Sequence, residues 1–190
     1  EDNFAAGGDG GGIESTAGDV SLTDSAVEEN EADGAGGGVA ATNGDVFLVG
    51  SSVSDNEAGT GPGGGIRSVG GSVSLDAGSG VYANTAGSGG GGIHASGDVD
   101  LIGGSVESNV AYGAGGGGIR TTGGNVTVLG GSVSNNETGG NGGGILADVG
   151  IVVLAEGSRV ETNDADGAGG GIDAGEDVTV AESSVYGNDA

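Results

Sequence analysis

Gly36-Gly37-Gly38-Val39, then Val46-Phe47-Leu48, then Val53-Ser54-Asp55-Asn56-Glu57-Ala58: these three phrases, in this order, recur along the whole chain. The residue after the triple glycine returns as Ile13, Val39, Ile66, Ile93, Ile119, Ile145 and Ile172, at steps of 26, 27, 27, 26, 26 and 27. The asparagine returns as Asn3, Asn30, Asn56, Asn84, Asn109, Asn136, Asn163 and Asn188. A fixed period of this length means stacked units, none of which buries its apolar face without a neighbour. Because one period runs from end to end, residues 1–190 are expected to form a single solenoid domain.

Within each unit apolar and polar residues alternate, which is the period of a β-strand. Val46 and Leu48 point inward with Phe47 outward, and the same pattern recurs in Val20/Leu22, Val73/Leu75, Val99/Leu101, Val126/Val128, Val152/Leu154 and Val178/Val180. A second inward series is Val27, Val53, Val81, Val106, Val133, Val160 and Val185. A third strand begins at each isoleucine, with a small residue two positions on (Ser15, Ala41, Ser68, Ala95, Thr121, Ala147, Ala174). No stretch carries a 3.6-residue apolar stripe, and glycine is too dense for helices. Each coil is thus expected to hold three short strands and three turns. Equivalent strands pair in parallel about 4.8 Å apart, so seven coils make a rod ~34 Å long. The right-handed rule for parallel crossovers then sets the hand. The expected fold is all-β: a right-handed parallel β-helix of seven coils of 26–27 residues.

Composition narrows the partners. There are 51 glycines, and their fixed phase marks turns rather than a flexible linker. There is no cysteine, so stability does not come from disulfides and the redox compartment is left open. Twenty-eight acids face three arginines, Arg67, Arg120 and Arg159, for a formal charge of −25. That balance disfavours nucleic acid and anionic membrane surfaces, both of which need basic side chains. It suits a high-salt or cation-rich medium. No apolar run approaches the length of a bilayer span.

In a solenoid equivalent residues stack, so chemistry is read down columns. The eight asparagines are expected to form an internal hydrogen-bonded ladder at a bend. Between asparagine and alanine runs an outward column containing Phe4, Glu31, Glu57, Thr85, Val110, Glu137, Asp164 and Asp189. Neighbouring carboxylates at one-coil spacing repel by roughly 0.9 kcal/mol even in water. Glu31, Glu57, Glu137, Asp164 and Asp189 are therefore either a solvated acidic face or candidate ligands for calcium, which takes carboxylate and carbonyl oxygens. No cofactor is required by this pattern. After each isoleucine the column reads Glu14, Ala40, Arg67, His94, Arg120, Leu146, Asp173. Arg67, His94 and Arg120 form the one stack where an anion or an acidic glycan is expected to sit, with local charge balancing as the plainer alternative.

The Gly-Gly-Gly-Ile and Val-x-x-Asn-x-Ala phrases resemble the Gly-Gly-Ala-Ile and Phe-x-x-Asn repeats of polymorphic outer membrane proteins, a group of surface β-helix proteins and adhesins. The likeness covers nearly the whole chain, with valine in place of phenylalanine before the asparagine and no membrane-barrel segment. It implies an extracellular or cell-surface location and an adhesive or shaft-like role. Regular coils favour a structural rod, namely a surface stalk, an adhesin shaft or a filament subunit, without catalysis. A glycan-binding module is the alternative. A third reading is a polysaccharide lyase or hydrolase of the pectate-lyase-like class. Asp98 and Asp100 point outward on one strand about 7 Å apart, a spacing that would hold a water for inverting hydrolysis. The sequence opens on Asn3-Phe4-Ala5 and closes on Asn188-Asp189-Ala190, the same phase of the repeat. The expected partner is therefore the chain itself, by head-to-tail coil stacking within a longer rod or between subunits, with Phe4 and Phe47 offering lateral contacts.

Overall fold

The computed structural model describes residues 3–190. Among them every regular element is a strand, and 28 strands fall into four seven-stranded parallel sheets. The chain is a β-solenoid of seven coils. Each coil contributes one strand to each sheet, so four strands replace the three expected from the sequence. In the second coil these are Asn30–Ala32, Val39–Ala41, Val46–Val49 and Ser52–Ser54. The sheets are called here the Asn, Ile, Leu and Val sheets after the residue that marks each. The additional sheet is the Asn sheet. Its strands have only two or three residues, too short to show an alternation, and they stand where a bend alone is expected from the sequence.

Register follows the repeat without a slip. Ile66 stands between Val39 and Ile93, Leu75 between Leu48 and Leu101, and Val81 between Val53 and Val106. A one-residue slip would turn every inward valine to solvent, so the buried alternation itself enforces this pairing. The core is one continuous stack of Val, Leu and Ile from Val20 to Val160, in which the inward-facing Leu48, Ile66, Leu75, Ile93, Leu101, Ile119, Ile145 and Leu154 are fully buried. The alanine two residues after each asparagine is buried in Ala32, Ala58, Ala86, Ala111 and Ala165, with Thr138 taking the place once.

The three glycines of each triplet answer three different demands. The first adopts a left-handed conformation, as in Gly36 (φ 64°) and Gly90 (φ 67°), which turns the chain into the Ile strand. The second lies against the backbone of the next coil: a Cβ on Gly91 would stand 2.6 Å from the carbonyl carbon of Val110. The third faces the next coil's asparagine: a Cβ on Gly38 would meet Asn56 Nδ2 at 2.9 Å, and one on Gly118 would meet Asn136 Nδ2 at 2.9 Å. The triple glycine and the asparagine are thus two halves of one contact, which is why they travel together along the chain.

A single left-handed residue makes the corner between the Val and Asn sheets. It is Glu29, Asp55, Ala83, Ser108, Asn135 and Thr162 in six coils, with φ between 52° and 58°, and Gly187 in the last. The strain sits on the residue before each ladder asparagine, not on the asparagine, to which the sequence reading had assigned the turn. Left-handed geometry costs a non-glycine residue about 1–2 kcal/mol. Thr162, β-branched, is the least suited of the six. Thr162→Gly is therefore expected to raise stability by about 0.5–1 kcal/mol after the entropic cost of glycine, measured as a shift in thermal or urea midpoint. A loss of stability would show that the Thr162 side chain contributes more than its strain costs.

Candidate functional site: the asparagine ladder and the arginine–histidine column

Seven consecutive bonds link the eight asparagines. Asn3 Nδ2 donates to Asn30 Oδ1 at 2.8 Å, and the pattern continues through Asn56, Asn84, Asn109, Asn136 and Asn163 to Asn188, at 2.9–3.0 Å. From Asn56 to Asn188 each Oδ1 also accepts the backbone N–H of the preceding asparagine, as Asn109 Oδ1 does from Asn84 at 3.0 Å. From Asn56 onward each Nδ2 also reaches back to a valine carbonyl about one period earlier, as Asn109 does to Val81 at 3.0 Å, whereas Asn30 Nδ2 bonds Glu28 O. In Asn56, Asn84, Asn109, Asn136 and Asn163 the amide's two donors and two acceptor sites are all used, which an amide alone among side chains of this size allows. Asn30, Asn56, Asn84, Asn109, Asn136 and Asn163 are buried, whereas Asn3 is exposed and Asn188 half-buried at the two end coils.

Two further ladders run along other corners, and the sequence reading missed both. Between the Ile and Leu sheets, Asp19 Oδ1 accepts the Asp45 N–H, Asp45 Oδ1 the Ser72 N–H, Ser72 Oγ the Asp98 N–H, Asp98 Oδ1 the Asn125 N–H and Asn125 Oδ1 the Ile151 N–H, all at 2.7–3.1 Å. This ladder runs opposite to the asparagine one: each coil's backbone donates to the side chain of the coil before. Between the Leu and Val sheets, Ser25 and Ser51 donate their N–H groups to Ser51 Oγ and Ser79 Oγ, and Ser158 to Ser183 Oγ. Residue types vary in the first of these columns because any oxygen acceptor serves, while the bonded positions of the second are all serine. A side-chain oxygen recurring at fixed phase is the signal that would have found them.

The Arg67–His94–Arg120 column lies where the register puts it, on successive strands of the Ile sheet. It is not an open outward stack. The glycine-rich segments fold over this face, leaving Ala40 and Leu146 buried and the three basic residues half-buried. Arg67 Nη1 pairs with Asp9 Oδ2 at 2.5 Å, 58 residues away and two coils earlier. Arg120 Nη2 pairs with Asp148 Oδ2 at 2.9 Å, with Nε at 3.3 Å from the same oxygen. Between them His94 is neutral at pH 7. Burial, then the flanking Arg120 and Arg67 charges, push its pKa down from 6.5 to about 4. Its Nδ1 and the Nε of Arg67 are enclosed without a hydrogen-bond partner. Each guanidinium already holds a carboxylate, so an incoming anion would compete with Asp9 and Asp148.

The depressed His94 pKa fixes a sign. Between pH 6.5 and about 4 the unfolded chain takes up a proton that the folded chain refuses, so folding stability falls as pH drops through that window. The loss amounts to about 3 kcal/mol for a shift of this size. Subtracting the pH–stability curve of His94→Gln from that of the parent removes the common carboxylate titration. The difference is expected to develop between pH 6.5 and 4. A flat difference would show that His94 titrates normally in the folded chain.

Of the candidate cation ligands, Glu31 stacks on Glu57, Glu137 on Asp164, and Asp164 on Asp189, along the outer face of the Asn sheet. Thr85 and Val110 separate the two groups. No set of three or more acidic, histidine or cysteine side chains among the described residues is arranged to hold a metal ion. Asp98 is exposed and committed through Oδ1 to its ladder, and Asp100 is half-buried between Ser74 and Thr127. Phe4 and Phe47 are both exposed, at 56% and 38%. No family model matches the chain, and no curated protein or solved structure is significantly similar to it.

Proposed function

We propose that the chain is a stretch of a rigid acidic rod with a structural role outside the cell, as a stalk, an adhesin shaft or a filament subunit, and without catalysis. The observation that carries this reading is regularity: all four sheets run unbroken through seven coils, and among the described residues no coil sends out a loop long enough to wall a groove. The resemblance to polymorphic outer membrane protein repeats, in Gly-Gly-Gly-Ile and Val-x-x-Asn-x-Ala, supports a surface location. The partner that this reading implies is a second copy stacked in register, because each coil meets the next through the same strand pairing. Electron micrographs of the purified chain are expected to show straight rods of one width and multiple lengths. Globular particles, or turnover of acidic polysaccharides with product detected as unsaturated or reducing ends, would overturn the proposal in favour of the lyase or hydrolase class.

Charge decides the medium in which the rod is stable. Stacked Glu31/Glu57 and Glu137/Asp164/Asp189 face like charges at strand spacing, and salt shortens the Debye length from ~30 Å at 0.01 M to ~3 Å at 1 M. The melting temperature is expected to rise by several degrees over that range. A further rise with millimolar calcium at constant ionic strength would assign specific cation bridging to those carboxylates, and a flat response to both would remove the cation role. A second reading, a glycan-binding module, is favoured by the consecutive register of Arg67, His94 and Arg120. Titration with acidic oligosaccharides separates it from the purely structural one: binding lost in Arg67→Ala and Arg120→Ala supports it, and no binding excludes it.

A further inference from the structure

Two of the chain's asparagines stand in an Asn-x-Thr sequence, Asn125-Val126-Thr127 and Asn136-Glu137-Thr138, the acceptor pattern for N-linked glycosylation. The fold separates them completely. Asn136 is buried, and its Nδ2 donates to Val106 O and Asn163 Oδ1. A sugar on that nitrogen would break the ladder and has no space. Asn125 is exposed at the corner before strand Val126–Leu129, and only its Oδ1 is engaged, by the Ile151 N–H at 3.1 Å.

We propose that Asn125 is an N-glycosylation acceptor, a proposal that rests on the reading of the rod as extracellular. Three observations on this corner carry it. First, the ladder needs only an oxygen there. Asp19, Asp45 and Asp98 supply a carboxylate and Ser72 a hydroxyl at the same phase, so the nitrogen of Asn125 is surplus to the fold. Second, that nitrogen makes no hydrogen bond among the described residues, and the Thr127 hydroxyl makes none either. Third, strand alternation buries Val126 and turns Asn125 and Thr127 to the same outer side, which presents both to a transferase. In the reaction Nδ2 attacks the anomeric carbon of a sugar carried on a polyisoprenyl phosphate or pyrophosphate. The C–N bond forms as the sugar–phosphate bond breaks, the lipid phosphate leaves with the electron pair, and Nδ2 gives its proton to the enzyme's base. The amide carbonyl is untouched, so the bond from the Ile151 N–H persists in the product.

The test is intact-mass and glycopeptide mass spectrometry of the protein isolated from its own source. A sugar-sized mass is expected on the peptide holding Asn125 and absent from the one holding Asn136. In the same host, Asn125→Gln and Thr127→Ala are expected to lose the added mass entirely and Thr127→Ser to retain it. Melting curves check that each variant is folded, since glutamine keeps a side-chain carbonyl. Unmodified Asn125 in protein that immunolabelling finds at the cell surface would overturn the proposal alone. Unmodified Asn125 in protein confined inside the cell would overturn both this proposal and the extracellular reading on which it rests.

Discussion

Gly91→Ala is expected to leave the chain unfolded or aggregated at 25 °C, with a loss of more than about 4 kcal/mol. Gly91 has no left-handed backbone to explain its identity; what excludes alanine is the neighbouring coil, whose Val110 carbonyl carbon would lie 2.6 Å from the added Cβ. A flexible side chain would move aside, but the backbone of a paired strand does not. Two other glycines calibrate the result. Gly157 is left-handed (φ 80°) with nothing within 4 Å of an added Cβ, so Gly157→Ala is expected to lose only about 1 kcal/mol of stability. Gly8 has neither constraint, and Gly8→Ala is expected to gain about 0.4–1 kcal/mol through the unfolded chain. Circular dichroism and urea titration of the three variants give the order directly. Near-equal effects would show that glycine serves this chain only as a turn former.

Asn109→Ala is the second large effect, about 3–5 kcal/mol. The Asn109 side chain accepts from the Asn84 N–H and Nδ2, and donates to Asn136 Oδ1, Val81 O and Glu107 O, each at 3.0 Å. Alanine strands the buried Asn84 N–H and the Val81 carbonyl, and each orphaned group costs about 1–3 kcal/mol. Asn109→Asp is expected to be worse at pH 7, because an ionised carboxylate has no donor for Asn136 Oδ1 and sits among buried groups. Its deficit relative to alanine should shrink on acidification, when the protonated acid regains one donor. The same truncation at half-buried Asn188 is expected to cost about 1 kcal/mol, since the solvent there replaces lost partners. Chemical denaturation across Asn3, Asn109 and Asn188 would refute the ladder's energetic role if the interior position were no more sensitive than the ends.

The period and the alternation made the parallel stack legible, since valine, leucine and isoleucine recur at fixed phase and a pleated strand has only one way to bury them. The asparagine column was legible for the same reason. What stayed hidden was local and irregular in type. The Asn sheet escaped because Glu57–Ala58 and its equivalents are too short for a periodic signal. The left-handed corner carries Glu, Asp, Ala, Ser, Asn and Thr, and no glycine flags it before Gly187. The pairing of Arg67 with Asp9 spans 58 residues, and only the fold brings them together. The column of Arg67, His94 and Arg120 was read correctly as a stack, but not as a covered one, because nothing in the sequence says that the glycine segments lie across it.

The match between each coil's third glycine and the next coil's asparagine makes one coil interface chemically interchangeable with another: Gly38 meets Asn56 as Gly65 meets Asn84 and Gly118 meets Asn136. Interchangeable interfaces have a genetic consequence. Unequal crossing-over between the DNA segments that encode two coils would delete or duplicate a whole number of them, and every new junction would rejoin a glycine to an asparagine in the same geometry. Length then becomes a heritable variable that changes in steps of about 4.8 Å without any intermediate misfolded allele. Populations carrying this gene would be expected to differ in coil number more readily than in the sequence of any single coil.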